Sequence, residues 1–132
     1  MLVVIDTNVL VSALLNPAGT PGSILALILQ GKLRPAYDQA VLSEYRAVLD
    51  RAKFGFPPEH VETLMDFIRH EGEACLGELS RLRFADEDDR KFWEVAIGSS
   101  AEALITGNAA HFPAHPLIMT PRAFLDFYPK RP

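Results

Sequence analysis

Five carboxylates in three separate stretches are the residues of this chain best suited to chemistry: Asp6, Glu44, and Asp86, Asp88 and Asp89 within the acidic run 86–89. No His or Cys stands beside any of them. Acids crowded together repel one another and raise their own pKa unless cations fill the gap. Donor sets made only of oxygen select hard ions, Mg²⁺ or Mn²⁺, over zinc. Such a site is suited to activating water and to stabilising charge on a phosphate oxygen, with two ions ~3.5–4 Å apart if both bind. Whether these acids meet depends on the elements that carry them.

Asp6 follows Leu2-Val3-Val4-Ile5, a continuous apolar run rich in β-branched residues, which reads as a strand buried on both faces. Asp6 then sits at the carboxyl end of that strand, the edge where ligands bind in open parallel sheets. Asp, Thr and Asn are also good helix caps, so Asp6-Thr7-Asn8 taken alone is better explained as the start of the next helix. Acids at matching strand ends, or at the helix starts beside them, shift that balance.

Glu44 lies in a helical stretch from Gln39 to about Ala52 whose apolar stripe is Val41, Leu42, Tyr45, Val48 and Leu49. It flanks the stripe, and Arg51 offers it a partner. Asp86-Glu87-Asp88-Asp89 precedes a second stripe, Phe92, Trp93, Val95, Ala96 and Ile97. Acids are favoured at a helix start by ~0.3–1 kcal/mol each, and Asp86 with Asp89 three residues on has the form of a cap. Asp89, however, shares a face with Phe92 and Ala96, where an unpaired carboxylate is costly and wants a cation.

The remaining elements complete a pattern of alternating strands and helices. After the turn residues 16–22, Ser23 opens an apolar helix that Gly31 ends, and Leu33-Arg34-Pro35-Ala36-Tyr37 is a weak strand, placed at a sheet edge by its proline. Pro58 starts a helix with Val61, Leu64, Met65 and Ile68 on one face; His60 and His70 on it do not have the spacing of a metal pair. The stretch 71–84 reads as helix end, loop or a short strand around Leu79 to Phe84. Ala103-Leu104-Ile105-Thr106, closed by Gly107-Asn108, repeats the opening motif. Leu117-Ile118-Met119 does so again, with Thr120 as cap and Pro121 at the first helical position. The expected fold is α/β, one domain over 1–132, with a mostly parallel sheet of four to five strands flanked by helices. Asp6, Asn108 and the acids of 86–89 then gather along one edge, with Glu44 approaching from a helix flank. His111 and His115 read as loop residues.

Composition is compatible with this. The chain has 132 residues, 48% of them hydrophobic, enough for one core. Cys75 is the single cysteine, which excludes an internal disulfide and reads as a small, partly buried hydrophobe. No stretch is long and apolar enough to span a bilayer, so the expected location is cytoplasmic, without membrane contact. The net charge of −4 argues against a nucleic-acid partner only until the five acids are set aside, when 13 positive charges face 12 negative ones. Cations bound at the acids would invert the field that a phosphate meets there.

The chain resembles the PIN-domain nucleases, and within them the bacterial proteins described as toxin components of toxin-antitoxin systems. The residues that carry the resemblance are Val3-Val4-Ile5-Asp6-Thr7-Asn8-Val9-Leu10, Leu42-Ser43-Glu44-Tyr45 with Val48-Leu49, and Asp86-Glu87-Asp88-Asp89 before Lys91-Phe92. Thr106-Gly107-Asn108 with His111-Phe112, and Thr120-Pro121-Arg122 with Phe124-Leu125, continue it. No tripeptide is specific; their order and spacing are, over nearly the whole chain. The resemblance implies a Rossmann-like sheet and Mg²⁺- or Mn²⁺-dependent hydrolysis of phosphodiester bonds, mostly in single-stranded RNA. Asp6, Glu44 and Asp89 would match the first three family acids, with the choice among Asp86, Asp88 and Asp89 open. Members often carry a fourth Asp after the Thr-Gly, where this chain has Asn108, which removes one charge from a second metal site.

The expected roles follow. Asp6 and Asp89 hold the metal, with Asp86 and Asp88 as further candidates, and Glu44 orients or deprotonates the attacking water. Asn108 and Asn8 position water or ligands, Thr7 or Ser43 touches phosphate, and Lys91 or Arg90 reaches the RNA backbone. A small antitoxin placing an arginine among the carboxylates and a homodimer through apolar helix faces are the expected partners. A second reading is a catalytically weak PIN-like module that binds RNA or protein, kept open by Asn108. A third, a phosphatase with an aspartyl nucleophile, expects another Asp two residues after the first, where Asn8 stands.

Overall fold

The computed structural model describes residues 1–130. Five parallel strands form the sheet: β1 (Leu2–Ile5), β2 (Arg34–Tyr37), β3 (Glu73–Ala74), β4 (Ala103–Ile105) and β5 (Ile118–Met119), in the order β3-β2-β1-β4-β5. The central strands β1 and β4 are apolar because both faces are covered; Val3, Val4, Ala103, Leu104 and Ile105 are fully buried. Six helices supply the cover: α1 (Thr7–Leu15), α2 (Thr20–Leu29), α3 (Gln39–Leu49), α4 (Pro58–Glu71), α5 (Arg90–Ser99) and α6 (Pro121–Phe127). From β1 the chain adds β2 and β3 on one side, then returns to add β4 and β5 on the other. The switch therefore falls between β1 and β4, the place where such sheets open a crevice at their carboxyl ends.

Several expectations are corrected. The Pro35 strand is internal, between β1 and β3. Arg34 donates its N–H to the Met1 carbonyl on the β1 side, so strand alternation turns the Pro35 nitrogen toward β3. That partner pairs only with Ala36 and Tyr37, so the missing donor falls where no ladder bond is required. Helix α2 starts at Thr20, not Ser23, with Pro21 in its first turn. Gly22 is needed there, since a Cβ would lie 2.0 Å from the Pro17 carbonyl oxygen. Of the readings for 71–84, helix end and loop hold, since α4 ends at Glu71 and no strand forms at 79–84; the unexpected element is β3, the pair Glu73–Ala74. Glu94 on α5 accepts the Ser80 N–H through its side chain, 2.8 Å, and the Glu78 N–H through its carbonyl.

Other expectations hold. Thr120 caps α6 by accepting the Ala123 N–H, Cys75 is partly buried against the core, and His60 and His70 are exposed. Among the described residues no single helix is long and apolar enough to cross a membrane; the apolar neighbours α1 and α2 are turned 101° from each other.

Candidate active site

Asp6 is 5% exposed at the tip of β1. It stands at the N-cap position of α1, where the Thr7 and Asn8 N–H groups favour its charge, but its side chain makes no capping bond there. Thr106, at the tip of β4, donates its hydroxyl to Asp6 Oδ2 at 2.7 Å, and Asn8 Nδ2 reaches the same oxygen at 3.3 Å. The Asn8 carbonyl in turn accepts the Gly107 N–H at 3.0 Å. The switch point of the sheet is thus closed by side chains that orient one carboxylate with neutral donors. Burial raises the Asp6 pKa; the Thr106 bond opposes this, and the Glu44 charge adds to it.

Glu44 reaches the same place from α3. Tyr45 is fully buried and donates its hydroxyl to the Ile5 carbonyl, one residue before Asp6, which fixes α3 against the tip of β1. Burial and the nearby charges of Asp6 and Glu44 hold the phenol well above its usual pKa, so it stays a donor. Both oxygens of Glu44 are engaged: one accepts from the Thr7 hydroxyl, the other from Lys91 Nζ at 2.8 Å. Lys91 also donates to the Asp88 carbonyl. The expected partner Arg51 makes no ion pair with Glu44.

The acidic run divides its work. Asp86 is a structural cap, accepting the Asp88 N–H at 2.9 Å. Glu87 is exposed and holds Arg90 Nε at 2.6 Å. Arg90 spends its other donors on the Ser80 and Leu82 carbonyls and lies over the Phe84 ring, so it fastens the loop and is not available to a ligand. Asp89 is half-buried just before the buried Phe92 and Ala96. Its pKa is pushed up to about 6, first by burial and then by the charges of Asp6 and Asp86, while His111 opposes the rise.

Asp6, Thr7, Asn8, Glu44, Asp86, Asp88 and Asp89 line one cavity of about 360 Å³, together with Val48, Arg51 and Phe54. The predicted acids are therefore brought together. Other candidates are placed differently. Asn108 donates its N–H to Thr106 Oγ1 and borders an adjoining cavity shared with Asn8 and Ser12. Ser43 is exposed and faces a separate depression with Gln39 and Arg46, because one residue's step around α3 turns it away from Glu44. Thr7 donates to Glu44, and Asn8 bridges Asp6 and the Gly107 N–H. Missed in the sequence were Thr106 and Tyr45, whose only signal was a polar atom at the end of an apolar run or stripe.

The chain matches the PIN domain family over residues 2–110. It belongs to the PIN domain family. The match takes in every strand except β5 and all the acids of the cavity. A relative from Methanocaldococcus jannaschii, the uncharacterized protein MJ1680, is 34% identical over 109 residues, covering 80% of this chain and 70% of that protein. PIN domains are typically nucleases that use divalent metals.

The donor set of this PIN domain fits such an ion in kind. All its donors are oxygens, and Asp6 and Asp89 have no salt-bridge partner among the described residues. As arranged, no three His, Cys, Asp or Glu side chains among the described residues converge on one ion. Glu44 is the acid already committed elsewhere, to Thr7 and Lys91.

Proposed function

We propose that this PIN domain is a divalent-cation-dependent endoribonuclease that hydrolyses phosphodiester bonds of single-stranded RNA. The observation that carries the reading is the pair Asp6 and Asp89, two acids with raised pKa that line one cavity and have no salt-bridge partner among the described residues. Asp6 and Asp89 would hold Mg²⁺ or Mn²⁺, with Asp88 at the cavity rim as a further donor. When bound, the ion supplies charge stabilisation to a phosphate oxygen and acidifies water.

The chain's own groups do the rest. Thr106 and Asn8 keep the Asp6 carboxylate turned to the cavity. Glu44 accepts a proton from the attacking water, whose oxygen forms the new bond to phosphorus as the bond to the ribose oxygen breaks; that oxygen leaves with the electron pair and takes a proton from solvent. For Glu44 to act, Lys91 must turn from it, and the released ammonium then faces the phosphate. Asn108 borders the neighbouring cavity as a ligand for water or RNA.

A panel of structured and single-stranded RNAs, with and without Mn²⁺, tests the activity. Asp6→Asn should abolish metal-dependent cleavage and leave the fold intact; retained cleavage removes the assignment. A second reading, a PIN module that binds RNA or protein without cutting, is favoured by the Glu44–Lys91 pair and by Asn108. Calorimetry with no millimolar or tighter Mn²⁺ binding would select it.

The toxin half of a toxin-antitoxin pair is the biological setting we propose, with a small partner placing an arginine among the acids. Co-purification with the product of a neighbouring gene tests this. A homodimer through the apolar surface around the exposed Leu15 and Leu29 completes the proposal; light scattering that shows only monomer removes it.

A further inference from the structure

Phe54 ends the short 3-10 turn Ala52–Phe54 that follows α3, and its ring forms part of the wall of the acid cavity beside Val48 and Arg51. It is half-buried and does not belong to the hydrophobic core, whereas Phe56 packs against that core. The two rings stack, with centroids 5.5 Å apart and planes 14° from parallel. Phe56 is therefore a rigid backing for Phe54. Gly55 joins them in the left-handed region, φ 65°, a conformation that a side chain would strain. Lys53 Nζ stands 5.1 Å from the centre of the Phe54 ring. Arg51 and Lys53 are exposed, and neither makes an ion pair among the described residues.

An aromatic ring held outside the core, backed by a second ring and flanked by two unpaired cations, has the make-up of a stacking site for single-stranded nucleic acid. Its position gives that make-up a use. A phosphate approaching the acid cavity is repelled by the carboxylates, so a chain reaching them needs attraction supplied at the rim. We infer that Phe54 is a stacking platform for one unpaired base of a single-stranded RNA, with Arg51 and Lys53 holding the phosphates on either side of that base. The inference rests on the nuclease reading for its choice of ligand. A duplex conceals its base faces and cannot use the platform. The Lys53 ammonium, on a flexible stem, moves from the ring to a phosphate as the base covers the ring.

The test measures binding of a fluorescein-labelled unstructured RNA and of its blunt duplex, in Ca²⁺ to screen the acids, and separately kcat and KM for cleavage in Mn²⁺. Phe54→Leu keeps an apolar side chain and loses the stacking face. It should weaken single-strand binding by roughly tenfold or more, raise KM with little change in kcat, and leave the thermal midpoint unchanged. Phe54→Trp should restore affinity, and its fluorescence should be quenched when RNA is added, against a buried Trp93 that stays constant. Arg51→Ala should lower the salt dependence of log Kd by about 0.7. Unchanged binding in Phe54→Leu, equal affinity of the wild type for the duplex, or no binding of the single strand would each overturn the platform. Binding that is lost in Phe54→Leu, in a wild type that cuts nothing with Mn²⁺, supports the platform and removes the nuclease reading. Cleavage abolished by Asp6→Asn, with binding unaltered in Phe54→Leu, does the reverse.

Discussion

Asp6 and Glu44 line the same cavity and are held in opposite ways. At the sheet edge, Asp6 is oriented by a threonine hydroxyl and an asparagine amide, which fix its direction and leave its charge uncompensated. At the seam between α3 and α5, Glu44 is held by the Thr7 hydroxyl and by an ammonium, which gives its charge a direct partner. Neutral donors keep a buried carboxylate hungry for a cation; a lysine satisfies it in advance. One acid is thus prepared for an incoming ion and the other is guarded until something displaces its partner.

The largest expected effect is at the uncompensated acid. Asp6→Asn should remove Mn²⁺ binding by calorimetry together with cleavage, and an unchanged binding isotherm would place the ion elsewhere. Next is the hydroxyl that orients it. Thr106→Val should lower metal affinity by about ten- to a hundredfold, as loss of an outer hydrogen bond does. It should also cost about 1–3 kcal/mol in chemical denaturation, since the buried Asp6 carboxylate loses its hydroxyl donor. Equal affinity in this variant would mean that the Asp6 carboxylate needs no orientation.

The guarded acid should respond in the other direction. Lys91→Met frees Glu44 and should tighten Mn²⁺ binding up to about fivefold, the equivalent of ~1 kcal/mol for a partly exposed pair. Weaker binding would break the comparison. The smallest effect is in proton uptake. Asp89 titrates at about 6 in the folded protein and near ~3.9 in an unfolded chain. The native state therefore holds the extra proton between those values, so its contribution to stability is full below about pH 4 and lost as pH rises through about 6. NMR titration should find this value, and find it lowered in Asp6→Asn, where the neighbouring charge is gone.

How much of this was legible in the sequence follows from the range of each interaction. The run Leu2–Ile5 ending in Asp6 marked the central strand, because a strand covered on both faces must be apolar throughout. Asp89 was singled out because its helix face is shared with Phe92 and Ala96, and both are fully buried. The Pro35 strand was misplaced because its tolerance depends on β3 pairing with only two residues, a fact set by tertiary contact and not by local pattern. Ser43 stands beside Glu44 in sequence, but adjacent helix residues point about 100° apart, which takes it out of the acid cavity. Arg51 is near Glu44 in the chain too, while the actual partner, Lys91, is 47 residues away. Thr106 ends an apolar run and belongs to the resemblance, but nothing local says that a residue 100 positions from Asp6 will bond to it.

That last separation bears on the protein's own synthesis. Asp6 is synthesised 100 residues before Thr106, and of the two strands beside β1 only β2 is made early, while β4 comes just ahead of that threonine. Until Thr106 is in place, the Asp6 carboxylate lacks the hydroxyl that gives it a fixed aim, so the site is completed late in the making of the domain.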